Sequence, residues 1–196
     1  MRQSKTLVGV VLVLALTAVG CASTGSGDIV SEPREVGSFD QIEVSSGIAV
    51  EITVDPAAAA GVTSIYDDNL QDKIITEVSG DTLVVEVRGN VIAPGSGRMV
   101  RVAMPVLIGL AADGGATVHG VGAADEVELR AEGGAAIDLE DMVVQTMDIG
   151  LEGGSKATVN AMLEVTGRVT GGATLTLTNS PASRDLDVSG GGKVSG

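Results

Sequence analysis

Through the second half of the chain, apolar residues alternate with polar or small ones, and a Gly-Gly doublet resets the alternation at regular intervals. The doublets are Gly114-Gly115, Gly133-Gly134, Gly153-Gly154, Gly171-Gly172 and Gly190-Gly191, with first glycines 19, 20, 18 and 19 residues apart. Four residues after each first glycine stand Val118, Ile137, Ala157, Leu175 and Val194, and two before it stand Ala112, Ala131, Leu151, Val169 and Val188. A further two residues upstream the set is Leu110, Leu129, Ile149, Gly167 and Leu186. Residues two apart share one face of a strand, whereas a helix repeats every 3.6. Glycine pairs would also weaken a helix. The pattern therefore predicts strands, stacked so that equivalent residues lie about 4.8 Å apart. The expected fold is all-β, a parallel β-helix or β-solenoid with coils of about 19–20 residues.

In such a stack the doublets mark one corner of every coil, where glycine lets neighbouring backbones approach. Gly134→Val is accordingly expected to destabilise more than Glu132→Ala. The first half of the chain has the alternation without the doublets. Val50, Ile52 and Val54, Leu83, Val85 and Val87, and Val100, Val102 and Met104 predict three strands, with turns at Asp55-Pro56, Gly80-Asp81 and Pro94-Gly95. Ser46-Gly47 has the spacing of a doublet ahead of Val50 and Ile52, and the stretch 57–70 holds the one candidate helical turn.

The N-terminus follows different rules. Arg2 and Lys5 precede an apolar run from Leu7 to Leu16, which ends at Ala18-Val19-Gly20-Cys21. This reads as a secretory signal over residues 1–20, its apolar run shorter than a membrane-spanning helix needs. Its end resembles the bacterial lipobox, in which the cysteine is acylated and becomes the mature N-terminus, although Ala18 stands where leucine is usual. An ordinary cleaved signal with an incidental cysteine is the alternative. Acyl chains on Cys21 would hold the protein on a membrane, and Ala22 after the cysteine favours the outer membrane in a cell that has two. Residues 21–38 lack apolar periodicity and read as a flexible tether. Residues 39–196 are then one domain.

Charge and residue types narrow the chemistry. The whole chain carries a formal charge of −14, and removal of Arg2 and Lys5 with the signal makes it −16. Such a field opposes nucleic acid and anionic lipid. Cys21 is the one cysteine and His119 the one histidine, so neither a disulfide, a cysteine–histidine metal site nor a standard nucleophilic triad is available. His119 follows Val118 in a predicted strand and points outward. No cofactor, metal site or catalytic residue is assigned. Asp113, Glu132 and Glu152 each precede a doublet and would form one column, either fanned into water or bridged by calcium. The last coil, Leu186 to Val194, would leave a strand edge open to self-association.

Taken in order, Phe39-Asp40-Gln41-Ile42-Glu43-Val44, Ser46-Gly47-Ile48, Asp68-Asn69-Leu70, Thr82-Leu83-Val84-Val85, Met104-Pro105-Val106-Leu107 and the repeated Gly-Gly-Ala segments resemble the putative auto-transporter adhesin head GIN domain family. The resemblance runs from about Phe39 to Gly196. It implies a β-helix-like stack on an exported, commonly lipid-anchored bacterial protein with an adhesin role, and it supplies no catalytic residues to transfer. Three functions remain open. The first is a non-catalytic, lipid-anchored envelope protein in adhesion or envelope structure. The second is a binding module for a protein or glycan ligand. The third is a calcium-assisted, polysaccharide-active β-helix, for which Phe39 and Tyr66 are the sole aromatic residues.

Overall fold

The computed structural model describes residues 22–93 and 95–196; the predicted signal over residues 1–20 and Cys21 lie outside the described residues. In chain order the first strands are β1 (Ser23–Thr24), β2 (Ile29–Arg34), β3 (Gln41–Val44), β4 (Ala49–Val54) and β5 (Gly61–Asp67). A 3-10 helix over Asp68–Lys73 leads to β6 (Ile74–Ser79), β7 (Thr82–Val87), β8 (Val91–Ile92) and β9 (Met99–Met104). The second half contains β10 (Gly109–Ala112), β11 (Thr117–Ala131), β12 (Ala136–Leu151) and β13 (Lys156–Val169). It closes with β14 (Thr174–Leu177), β15 (Ser183–Val188) and β16 (Lys193–Ser195).

The long strands each serve two walls. The N-terminal part of β11 pairs with β4, and its C-terminal part pairs with β10. In the same way the two parts of β13 pair with β14 and β15. Each long strand therefore bends midway, and the register is irregular there, between His119 and Gly122 and between Leu139 and Val143. The doublets turn the chain at the other end of each wall. Parallel pairing sets Val118 beside Ile137, Ile137 beside Ala157, and Ala157 beside Leu175, and all four are buried.

A simple parallel solenoid does not describe the molecule. The pairs β2–β5, β5–β9 and β6–β7 are antiparallel. Nine strands, in the order β16-β14-β13-β12-β11-β10-β3-β7-β6, curl through 284° round an axis and make a largely closed, mixed, barrel-like sheet. The expectation of a parallel β-helix with coils of 19–20 residues is thereby corrected. Alternation reports which face a side chain takes, not the direction of the neighbouring strand. Around Gly80-Asp81 the chain reverses into a hairpin, β6 to β7, where a coil would have carried on.

Two local expectations also shift. Residues 29–34, assigned to the tether, form β2 against the edge of β5. Its side chains are almost all exposed, so it buries no face and shows no apolar period. The helical turn lies at Asp68–Lys73, with Leu70 buried, while Gly61–Asp67 is a strand.

The core is aliphatic almost throughout, with Phe39 and Tyr66 its aromatic members. Burial lapses at the last turn of chain, where Val188 is 44% exposed and Leu186 and Val194 are only partly covered. At the doublet corner the first glycines stack on one another. A Cβ on Gly153, which has φ +71°, would lie 3.0 Å from the amide nitrogen of Gly133, and one on Gly133 would lie 3.1 Å from that of Gly114. Gly134 has open space and no left-handed φ. The steric demand expected of Gly134 therefore falls on Gly133.

Just inside that corner Ala116, Ala135, Ser155 and Ala173 follow one another in register, all fully buried. Ser155 alone brings a hydroxyl, and its Oγ has no hydrogen-bond partner. An unpaired buried hydroxyl costs stability. Ser155→Ala, which restores the alanine of the neighbouring positions, is expected to raise stability by about 1 kcal/mol. The check is a higher urea midpoint with an unchanged denaturant slope; a lower midpoint would contradict it.

Candidate functional site

The outer surface of the wall made by β10 and the C-terminal parts of β11, β12 and β13, with β15, carries two charged columns. In one, Gly109, Glu128, Asp148, Thr166 and Asp185 follow in register; in the other, Ala111, Arg130, Gly150, Arg168 and Asp187 do. These positions point outward because their neighbours Leu110, Leu129 and Ile149 point into the core. Arg130 is the ridge of this face. Its Nη2 donates to Asp148 Oδ2 at 2.8 Å and lies 2.9 Å from Glu128 Oε1, while Nη1 donates to the carbonyls of Leu129 at 3.1 Å and Asp148 at 3.2 Å. Gly150 makes this possible: a Cβ there would sit 2.7 Å from Arg130 Cδ. The arginine thus lies flat across the next strand.

A depression opens on each side of the ridge. One, of about 360 Å³, is bounded by Arg130, Asp148, Gly150, Glu152, Arg168 and Asp187. The other, of about 240 Å³, is bounded by Gln41, Glu43, Gly109, Ala111, Glu128 and Arg130. In the larger depression the guanidinium groups of Arg130 and Arg168 alternate with the carboxylates of Asp148 and Asp187, and in the smaller one Arg130 faces Glu43 and Glu128. Such a surface can hold a polar ligand through charge-assisted hydrogen bonds.

A second cluster lies where β5 meets the segment before β9. Arg98 grips Asp67 with both Nε and Nη2, the latter at 2.8 Å, and the Gly27 amide donates to Asp67 Oδ1 at 2.7 Å. Asp67 is completely buried. The Arg98 hydrogen bonds hold its carboxyl well below the ordinary carboxylate range, against the opposing effect of burial and with help from Gly27. Burial pushes the neighbouring Tyr66 hydroxyl up to about 12, partly offset by the Arg98 charge. A cleft of about 420 Å³ beside the cluster is bounded by Ser46, Gly47, Tyr66, Asn90, Ser96 and Arg98.

With one tyrosine and no tryptophan, near-ultraviolet absorbance reads Tyr66 alone. Its titration is expected at about 12 in the folded protein and at the ordinary 10.0 in denaturant. Because the folded value is raised, the stabilising contribution is complete below pH 10 and is lost as pH climbs through 12. A folded-state midpoint of 10 would contradict the burial of this ring.

Asp113, Glu132 and Glu152 follow one another at the doublet corner, Asp113 and Glu132 bounding one depression and Glu132 and Glu152 another, whereas His119 stands apart. His119 Nδ1 stands 4.0 Å from Asp138 Oδ2, both about half exposed, on the outer face of the other wall with Glu51 on its far side. Asp113 folds back so that its Oδ1 accepts from the amide of Gly114. Among the described residues no three histidine, cysteine or acidic side chains come together as a metal site, and no helix is long and apolar enough to cross a membrane. The Arg130 face was accessible to sequence reasoning: Ala111, Arg130, Gly150, Arg168 and Asp187 all stand three residues before a doublet. The pairing of Asp67 with Arg98, 31 residues apart, follows no repeat.

The family described as "Putative auto-transporter adhesin, head GIN domain" matches residues 38–121 and again 91–181. The chain belongs to this family. Among solved structures, a putative adhesin from Bacteroides fragilis NCTC 9343 superposes with a TM-score of 0.57 at 16% identity, covering 88% of this chain and 98% of that one. A putative adhesin from Parabacteroides merdae ATCC 43184 gives a TM-score of 0.45 at 13% identity over 89% and 98% of the two chains. At 16% identity the likeness to the Bacteroides fragilis structure concerns the fold alone. No curated protein sequence matches the chain.

Proposed function

We propose that this head GIN protein is a non-catalytic binding module of the bacterial cell envelope with an adhesin role, held at the membrane, the outer one where there are two, through acylated Cys21. Its contact surface is the Arg130 face. The observation that carries the reading is the Arg130 ridge, fixed across Gly150 and flanked by two depressions. A side chain already immobilised by Asp148 and Glu128 loses little further freedom when a ligand binds. The ligand is a polar chain, a glycan or a protein segment, because the rims offer paired donors and acceptors and no aromatic platform. Family membership supports the adhesin role.

Three measurements test this. Metabolic labelling with an alkyne fatty acid is expected to mark the wild-type protein and not Cys21→Ser; equal labelling would remove the anchor. Immobilised protein exposed to a panel of glycans and to envelope proteins is expected to retain a ligand that Arg130→Ala loses while keeping its Tm. Release of new reducing ends from an acidic polysaccharide, with or without calcium, would overturn the non-catalytic assignment.

A further inference from the structure

The bends opposite the doublet corner carry a second surface, which meets the Arg130 face at Ile108. Val106, Ile108, Val143, Met162 and Leu163 are 37–54% exposed, large apolar side chains in water. They form a stripe rather than a scatter. A groove of about 320 Å³ lies between Pro56, the 105–108 loop and the bend at Ala123-Ala124. From there Ala123 pairs with Val143, and Val144 pairs with Ala161, the residue before Met162-Leu163. The stripe thus crosses successive strands at right angles to their direction.

Its borders are mainly acidic, with Arg184 an exposed cation near the Met162-Leu163 end. Asp55, Asp125, Glu126, Glu140, Asp141 and Glu164 are all exposed beside it. Between residues 102 and 155 the sequence has one lysine or arginine, Arg130. That arginine is engaged with Asp148 and Glu128 on the other wall. Clustered like charges around an apolar strip repel one another until an opposite charge arrives. Anionic lipid and a second copy of so acidic a chain would both meet that repulsion.

We propose that this stripe is a docking site for a cationic amphipathic helix of a partner protein. Complementary charge selects a basic partner, and geometry selects a helix. Successive strands step about 4.8 Å along the stripe, close to the 5.4 Å pitch of an α-helix, so one apolar residue per turn meets one strand level. An extended peptide repeats a face every 6.8 Å or so and drifts out of step within two levels. Apolar residues at i, i+3, i+4 and i+7 would fill the groove while Lys and Arg on either flank meet the acids.

The test uses a Leu/Lys peptide of about 18 residues with helical apolar spacing, a scrambled peptide of the same composition, and a Leu/Glu counterpart. Binding to the protein is measured by calorimetry. The amphipathic cationic peptide is expected to bind at least about tenfold more tightly than the scrambled one, a difference of roughly 1.4 kcal/mol, with no binding of the acidic peptide. Val143→Ser/Leu163→Ser, at exposed positions, is expected to abolish the preference for the amphipathic peptide without changing Tm. Asp125→Asn/Glu126→Gln/Asp141→Asn is expected to weaken binding about tenfold. Equal binding of scrambled and amphipathic peptides, unaffected by the apolar double variant, would reduce the site to non-specific charge attraction and overturn the proposal. So would a homodimer, or binding to neutral phosphatidylcholine vesicles, that the same double variant abolishes.

Discussion

Gly167→Ala is expected to cost about 4 kcal/mol or more, measured by urea denaturation. Gly167 occupies the inward column otherwise filled by Leu110, Leu129, Ile149 and Leu186. On hydrophobic pattern alone, leucine there would complete the core. The backbone forbids it. Gly167 has φ +126°, and a Cβ would lie 2.0 Å from the carbonyl oxygen of Ile149 and 2.7 Å from its nitrogen. Both obstacles are main-chain atoms of the paired strand, so no side-chain rotation relieves them. Moving β13 away from β12 would break the ladder on both sides of the contact. Gly167→Leu is therefore expected to be no more stable than Gly167→Ala, and either variant within about 1 kcal/mol of the wild type would contradict this packing.

Asp67→Asn is expected to lower the Tm by roughly 10 °C. The substitution keeps the shape and removes the carboxylate charge that two nitrogens of the largely buried Arg98 guanidinium share. Removing one member of a buried pair is worse than removing both. Asp67→Leu/Arg98→Met is accordingly expected to be more stable than either single variant. The pH dependence has a definite sign. The folded carboxyl is depressed below its ordinary 3.8, so its stabilisation is present above that value and is lost as pH falls further. Asp67→Asn should then show a shallower loss of stability below pH 4 than the wild type. An identical acid profile would show that this carboxylate is not what Arg98 holds.

The two variants also mark where the sequence was readable. Columns such as Val118, Ile137, Ala157 and Leu175 were visible because parallel strands in register repeat their environment at a nearly constant interval. Gly167 stood in such a column as an exception, and only the backbone explains it. In the first half, antiparallel pairs such as β6–β7 and β5–β9 leave the same alternation as parallel ones, so strand direction was hidden. That ambiguity is why a solenoid was expected and a curled, mixed sheet was found. The Arg130 face lay within reach, since its column keeps step with the doublets. The Asp67–Arg98 pair joins non-repeating segments, and the apolar stripe falls in the bends, where register is irregular.

Those bends hold a lesson about chain length. The doublet steps vary between 18 and 20 residues, yet the walls on either side stay aligned, because the difference is taken up between His119 and Gly122, between Leu139 and Val143 and between Val144 and Thr146. A single residue inserted within a wall would turn every following side chain inside out. Inserted at Glu140-Asp141, it would merely enlarge a bulge. Segments grafted at that point should therefore be carried by the domain as cargo, which makes the bend the natural place to splice a reporter, an epitope or a new recognition loop.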